Sequence, residues 1–288
     1  MKLATFTHDG RTRIGVVTDA GIIDLSTAAP DLPTDMRSFL TAGAAAMTTA
    51  REAGGTPIPL AELHLEAPVM TPSKFLAIGL NYADHIAESK TEKPDMQLWF
   101  NKQVSCVNAP GDPIHKPRVS DALDYEGELG MIIGRRCRHV PKERAHEVIA
   151  GFCIVNDVSV RDWQFHSQTM TMGKSFDTHG PVGPWLVTPD EIGDPHDLTI
   201  RTLINDEVRQ DSNTRHLVFD CYDQIAYLSQ AFTLMPGDII STGTPGGVGV
   251  AMQPPSFLKA GDKIRIEIDK IGSIAHTVIQ EPADTVIM

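Results

Sequence analysis

Two periods of apolar residues alternate along this chain, and the switches between them outline its elements. Arg13-Ile14-Gly15-Val16-Val17 leads through Asp19-Ala20-Gly21 into Ile22-Ile23-Asp24-Leu25, which predicts a hairpin. The alanine-rich run from Asp35 to Ala53 is helix-prone, interrupted by Gly43 and ended by Gly54-Gly55. A proline-marked stretch from Thr56 to Pro72 follows, placing a boundary near residue 70. Residues 1–70 are then expected to form a small amino-terminal α+β domain, and residues 71–288 a larger one. In the latter, Phe75–Ile78 reads as a strand and Ala83–Ser89 as a short helix. Leu123–Ile133 and Phe152–Val160 read as strands, with a helix between them at Lys142–Ala150. Asn205-Asp206, flanked by Leu198–Ile204 and Glu207–Gln210, is a hairpin turn signal. Ile225, Leu228, Phe232 and Met235 recur with helical spacing over Asp220–Leu234. Ile264, Ile266 and Ile268 alternate, Gly272 turns the chain, and Ile274–Ile279 returns as a partner strand. Strands predominate beyond residue 70.

Composition adds little to that picture, and charge narrows it. The 23 glycines and 20 prolines are scattered, which favours many turns between short strands. A formal net charge of −12 disfavours nonspecific binding to nucleic acid or to an anionic membrane surface. No apolar run approaches the ~20 residues needed to span a bilayer. Cys106, Cys137, Cys153 and Cys221 are far apart with no CxxC pair, so neither a zinc cluster nor a disulfide framework is expected. MKLATFTHDG lacks the apolar stretch of a signal peptide, and a reducing cytoplasm is the expected compartment.

Candidate chemistry concentrates in carboxylates. In Asp124-Tyr125-Glu126-Gly127-Glu128-Leu129-Gly130-Met131-Ile132-Ile133, strand alternation puts Glu126 and Glu128 on one face. Leu129, Met131 and Ile133 point to the other, a core face. Two like charges so placed repel unless water separates them or a cation lies between them. Oxygen donors at this spacing suit Mg²⁺, Mn²⁺ or Ca²⁺ better than zinc. E-x-E alone is common on solvent-facing edge strands. A third carboxylate alters the balance: Asp157 sits within the apolar strand pattern Gly151–Val160, where an aspartate is costly unless it is paired, metal-bound or capping a strand end. Arg161 and Gln164 follow at a helical offset of four and seven residues, which would return both to the side of Asp157. Lys174 lies in Gly173–Thr178, a turn-prone segment otherwise poor in basic groups.

Over residues 74 to 280 the chain resembles the fumarylacetoacetate hydrolase family. Seven collinear blocks carry the likeness: GLNYADHIAES (79–89), DYEGELGMIIGR (124–135), GFCIVNDVSVRDWQ (151–164), GKSFDT (173–178), GPVGPWLVTPDE (180–191), RQDSNT (209–214) and PGDIISTGTPGGVG (236–249). The resemblance is nearest to the shorter bacterial members: acylpyruvases, oxaloacetate decarboxylases and diacid isomerases. It implies a mainly β fold, a mixed β-sheet roll with few helices, often as a homodimer. It implies one Mg²⁺ or Mn²⁺ held by Glu126, Glu128 and Asp157. Arg161, Gln164 and Lys174 match residues that face the substrate, and Thr244 matches a threonine that contacts the substrate carboxylate. His85 and Glu88 look like a catalytic His–Glu dyad, and their i, i+3 spacing places both on one face of a short helix. The fourth acidic ligand of the larger eukaryotic members has no counterpart here.

The expected reaction is cleavage of the C3–C4 bond of a 2,4-dioxo acid such as fumarylpyruvate or maleylpyruvate, giving pyruvate and a carboxylic acid. Lys174 and Gln164 would add donors where negative charge develops, and His85 would take a proton from water. Oxaloacetate decarboxylation and isomerisation of an unsaturated 2-oxo diacid remain alternatives on the same site. So do a binding-only role and a Schiff-base reaction at Lys174. Gly243, Gly246, Gly247 and Gly249 evoke a phosphate loop, but no GK[ST] follows them.

Overall fold

A computed structural model describes residues 1–283 together with Val286 and Ile287. Strands dominate and helices are few and short, so the mainly β expectation holds.

The main sheet begins with three antiparallel strands, Gly21–Asp24, Arg11–Thr18 and Lys2–His8. It continues through Gly180–Val187, Ile149–Asn156 and Gly127–Ile133. It ends with Ile239–Ser241, Phe75–Gly79 and Leu98–Lys102. A second sheet orders Glu207–Asn213, Thr199–Ile204, Lys263–Ile268, Gly272–Gln280 and Ile114–Lys116. The hairpin at Asn205-Asp206 forms as expected, with φ of 50° and 67° at the two turn residues. Lys2 pairs with Val187, so the amino-terminal strands extend the sheet that carries the central strands.

Position in this sheet explains the composition of its middle. Every residue of Gly127–Ile133 and of Ile149–Asn156 is buried. Leu129, Met131 and Ile133 enter a core shared with the second sheet and the helix Cys221–Ala231. Ile132, Cys153 and Val155 enter another, built with Leu3, Ile14 and Phe39 from the amino-terminal segment. Strands buried on both faces read as continuous apolar runs, so any charge among them must be compensated.

Several elements differ from expectation for identifiable reasons. Leu123–Ile133 divides into Leu123–Asp124 and Gly127–Ile133, and between them the Tyr125 and Glu126 N–H groups donate to side chains, Asp124 Oδ1 and Asn156 Oδ1, in place of a partner strand. The helix expected at Lys142–Ala150 is a 3₁₀ segment, Lys142–Val148, followed directly by strand from Ile149. The alanine-rich run forms two helices, Met36–Ala42 and Ala44–Glu52, parted at Gly43 with φ of 77°.

Gly151 lies where the Ile149–Asn156 strand crosses Gly180–Val187. A Cβ there would sit 2.4 Å from the Val187 carbonyl oxygen and 2.5 Å from Leu186 Cδ2. Gly151→Ala should therefore destabilise the protein by about 1–3 kcal/mol through overpacking, read as a lower denaturation midpoint.

Candidate active site

The antiparallel register brings the acidic residues together. Gly127 pairs with Asn156 and Glu128 with Val155. One step beyond, the Asp157 N–H donates to the Glu126 carbonyl at 2.9 Å, which sets Glu126 opposite Asp157. Residues opposite one another share a face, so Glu126, Glu128 and Asp157 converge at the end of two neighbouring strands. One oxygen from each lies within 4.8 Å of the others, and all three residues are buried.

Buried cations surround the cluster. Lys174 Nζ donates to Glu126 Oε2 at 2.7 Å and to Asp157 Oδ2 at 2.9 Å. Arg161 Nη1 pairs with Glu126 Oε1 at 2.7 Å, while its Nε donates to Asp124 Oδ2 at 2.8 Å. Lys102 Nζ reaches Asp157 Oδ1 at 2.6 Å. The two glutamates respond in opposite senses. Burial alone would raise Glu126, but Lys174 and Arg161 outweigh it and hold its carboxyl down to about 2. Burial pushes Glu128 well above the usual carboxylate range, and the charges of Asp157 and Glu126 reinforce that shift. Ser241 Oγ and the Gly243 N–H both donate to Glu128 Oε2, at 2.6 and 2.7 Å.

The glycine-rich loop is occupied by the protein's own carboxylates. Besides the Gly243 contact, the Gly246 N–H donates to Asp84 Oδ1 at 3.3 Å and the Gly247 N–H to Glu88 Oε2. The Gly249 and Val250 N–H groups donate to the two oxygens of Asp124, at 2.8 and 2.9 Å. Gly247 has φ of 102°, and a Cβ there would lie 1.9 Å from the Arg209 carbonyl oxygen. The loop thus cradles anions as a phosphate loop does, but here they are side chains of this chain.

His85 and Glu88 lie on the helix Ala83–Ser89, as expected. His85 Nδ1 and Glu88 Oε1 are 3.6 Å apart, just beyond hydrogen-bond reach, and neither atom has another partner among the described residues. Glu88 is anchored by Gly247 and faces Nδ1 of His85. His85 lines a cavity of about 370 Å³ with Glu126, Glu128, Arg161, Lys174 and Thr244. Ile78, Leu80, Leu98 and Phe100 supply an apolar wall.

Arg161 and Gln164 reach the cavity by a different route from the one expected. Asp157 is followed by the strand Ser159–Val160, and the helix is only Arg161–Gln164. The two side chains meet through Arg161 Nη1 and Gln164 Oε1 at 3.1 Å, within their own turn. Thr244 also lines the cavity, but its hydroxyl donates to the Gly127 carbonyl at 3.0 Å and accepts from Gln210 Nε2 at 2.8 Å. Its proton is therefore committed to the main chain.

Four functional neighbours escaped sequence reasoning: Lys102, Asp124, Gln210 and Ser241. Asp124, Gln210 and Ser241 lay inside recognised blocks, next to more conspicuous residues. Gln210 Oε1 accepts the Gly127 N–H at 3.0 Å, which closes a ring with Thr244 around the backbone of Gly127, the strand residue between the two glutamates.

Fold and cluster together define a β-roll protein with a preformed, buried carboxylate site suited to a hard divalent cation. A sequence profile described as Fumarylacetoacetate (FAA) hydrolase C-terminal matches residues 74–279. The chain belongs to the fumarylacetoacetate hydrolase family. It is 43% identical over 274 residues to a mitochondrial oxaloacetate tautomerase of Xenopus laevis, covering 93% of this chain and 86% of that one. Among solved structures, a fumarylacetoacetate hydrolase of Exiguobacterium antarcticum superposes with a TM-score of 0.87 at 35% identity, covering 98% of this chain and 100% of that one. A maleylpyruvate hydrolase of Sphingobium sp. SYK-6, in complex with manganese(II) and pyruvate, gives 0.79 at 36% identity with the same coverage.

Gln210→Leu should leave the Gly127 N–H without its acceptor. A loss of about 1–3 kcal/mol in chemical denaturation is expected, the penalty for one unsatisfied buried donor.

Proposed function

We propose that this protein is a divalent-metal-dependent enzyme that moves a proton at carbon 3 of a small 2-oxo acid, with enol–keto tautomerisation of oxaloacetate as its reaction. The observation that carries this reading is the placement of His85. It lines the cavity beside Glu126 and Glu128, and its Nδ1 faces Glu88, which leaves Nε2 for proton transfer.

Glu126, Glu128 and Asp157 would hold Mg²⁺ or Mn²⁺, which when bound supplies Lewis-acid stabilisation of negative charge on the 2-oxo oxygen. Lys174 and Arg161 add positive charge beside that oxygen. In the enol-to-keto direction, His85 Nε2 delivers a proton to carbon 3, the enol oxygen loses its proton to solvent water, and solvent returns a proton to His85, so no net proton is gained or lost. Glu88 faces Nδ1 and so orients the ring for that step. The apolar wall limits water at the reacting carbon. Asp157 and Glu126 raise the affinity of Lys174 for its proton despite the opposing effect of burial, so its amine stays charged and a Schiff base there is disfavoured.

Support for placing tautomerisation ahead of hydrolysis comes from the oxaloacetate tautomerase relative, at higher identity than the maleylpyruvate hydrolase. Hydrolysis of an acylpyruvate is the second reading, favoured by a cavity of about 370 Å³ whose apolar wall has room for an acyl group. There His85 would take its proton from the attacking water, and carbon 3 would gain one as the C3–C4 bond breaks. The homodimer and the cytoplasmic compartment belong to the same proposal. No helix among the described residues is long and apolar enough to cross a membrane.

Three measurements test this reading. With Mn²⁺ present, the ultraviolet signal of enol-oxaloacetate should decay faster than the uncatalysed rate, and EDTA should abolish the acceleration until Mn²⁺ or Mg²⁺ is restored. An uncatalysed rate with oxaloacetate alongside rapid cleavage of maleylpyruvate or fumarylpyruvate would overturn tautomerisation in favour of hydrolysis. His85→Ala should slow turnover by about 10²–10⁴-fold with Mn²⁺ still bound. Wild-type rates in that variant would remove His85 from the chemistry.

A further inference from the structure

The most deeply buried cation near the site plays no part in the chemistry described above. Lys102 ends the strand Leu98–Lys102, paired across to Phe75, with a side chain that is 0% exposed. It does not line the cavity and so touches no substrate. Its Nζ makes three contacts: Asp157 Oδ1 at 2.6 Å, the Val158 carbonyl at 3.4 Å and the Lys174 carbonyl. An ammonium has three protons and no lone pair, so this set uses it fully.

Those contacts join three separate segments of the chain at one point. We propose that Lys102 is a positioning residue that fixes Asp157 with Oδ2 turned to the carboxylate cluster and tethers the backbone from which Lys174 reaches Glu126. Each part follows from a contact. With Oδ1 held by Lys102, the Asp157 carboxylate cannot rotate without breaking a buried ion pair, and Oδ2 is the oxygen left facing Lys174 at 2.9 Å. With the Lys174 carbonyl held from the opposite side, the side chain of that residue starts from a fixed origin. The inference rests on the metal reading given above, and concerns how the ligands are held.

Removing Lys102 has two opposing effects on a divalent cation at the cluster. Loss of a nearby positive charge favours the cation, and loss of ligand orientation disfavours it. Partners that orient metal ligands typically contribute about 10–100-fold in affinity, which makes orientation the larger effect here.

Lys102→Met keeps the length and apolar stem of the side chain but removes the charge and all three donors. In a Mn²⁺ titration of the purified protein, followed by calorimetry and by the free-ion EPR signal, this variant should bind about 10–100-fold more weakly than wild type. Lys102→Gln retains an N–H donor and carries the same test should the methionine variant fail to fold, as judged by circular dichroism. A lowered melting temperature with unchanged Mn²⁺ affinity would overturn the proposal, leaving Lys102 a structural ion pair. Tighter Mn²⁺ binding would overturn it too, since Lys102 would then be only a competing charge. Wild-type protein that binds no Mn²⁺ would bring down the metal reading and this inference together, so the two failures are distinguishable.

Discussion

Four carboxylates, Asp124, Glu126, Glu128 and Asp157, are buried where the central strands end, and keeping them there is the constraint on which the rest of the site depends. Carboxylates so placed are tolerated only when hydrogen bonds and opposite charges replace the water they have lost. The protein uses both. Backbone N–H groups of the 243–250 loop hold Glu128 and Asp124, while Lys102, Lys174 and Arg161 hold Asp157, Glu126 and again Asp124. Three cations face these four carboxylates, and the one without a cation, Glu128, is pushed toward its neutral form by burial and by Asp157 and Glu126, a shift that a divalent cation would oppose.

The same loop holds the helix that bears His85. Gly247 anchors Glu88 and Gly246 anchors Asp84, both on the helix that bears His85. Gly243 anchors Glu128 a few residues away. One short glycine-rich segment therefore ties the helix of His85 to the carboxylate cluster. The need for close backbone approach explains glycine at 247, where any Cβ would collide with the Arg209 carbonyl.

Much of this was legible in the sequence. The alternation in Glu126-Gly127-Glu128 placed both glutamates on one face, and the apolar pattern around Asp157 marked that aspartate as needing a partner. The cross-strand register that unites them was invisible, because pairing between residues about thirty positions apart is set by tertiary structure. Lys102 was hidden for a related reason. LWFNK reads as an ordinary strand end, and only the fold brings Asp157 and the Lys174 carbonyl to its ammonium. The helical offset from Asp157 to Arg161 and Gln164 misled, since two strand residues intervene; the short helix begins only at Arg161. The glycines were noticed but assigned no partner, because nothing local indicates that their N–H groups face the chain's own acids.

The most direct test of the central claim is the anomalous scattering of crystals grown with Mn²⁺. The account predicts a single strong peak per chain, about 2.0–2.6 Å from oxygens of Glu126, Glu128 and Asp157. Saturating Mn²⁺ with no peak there, or with its peak at another group of residues, would contradict it.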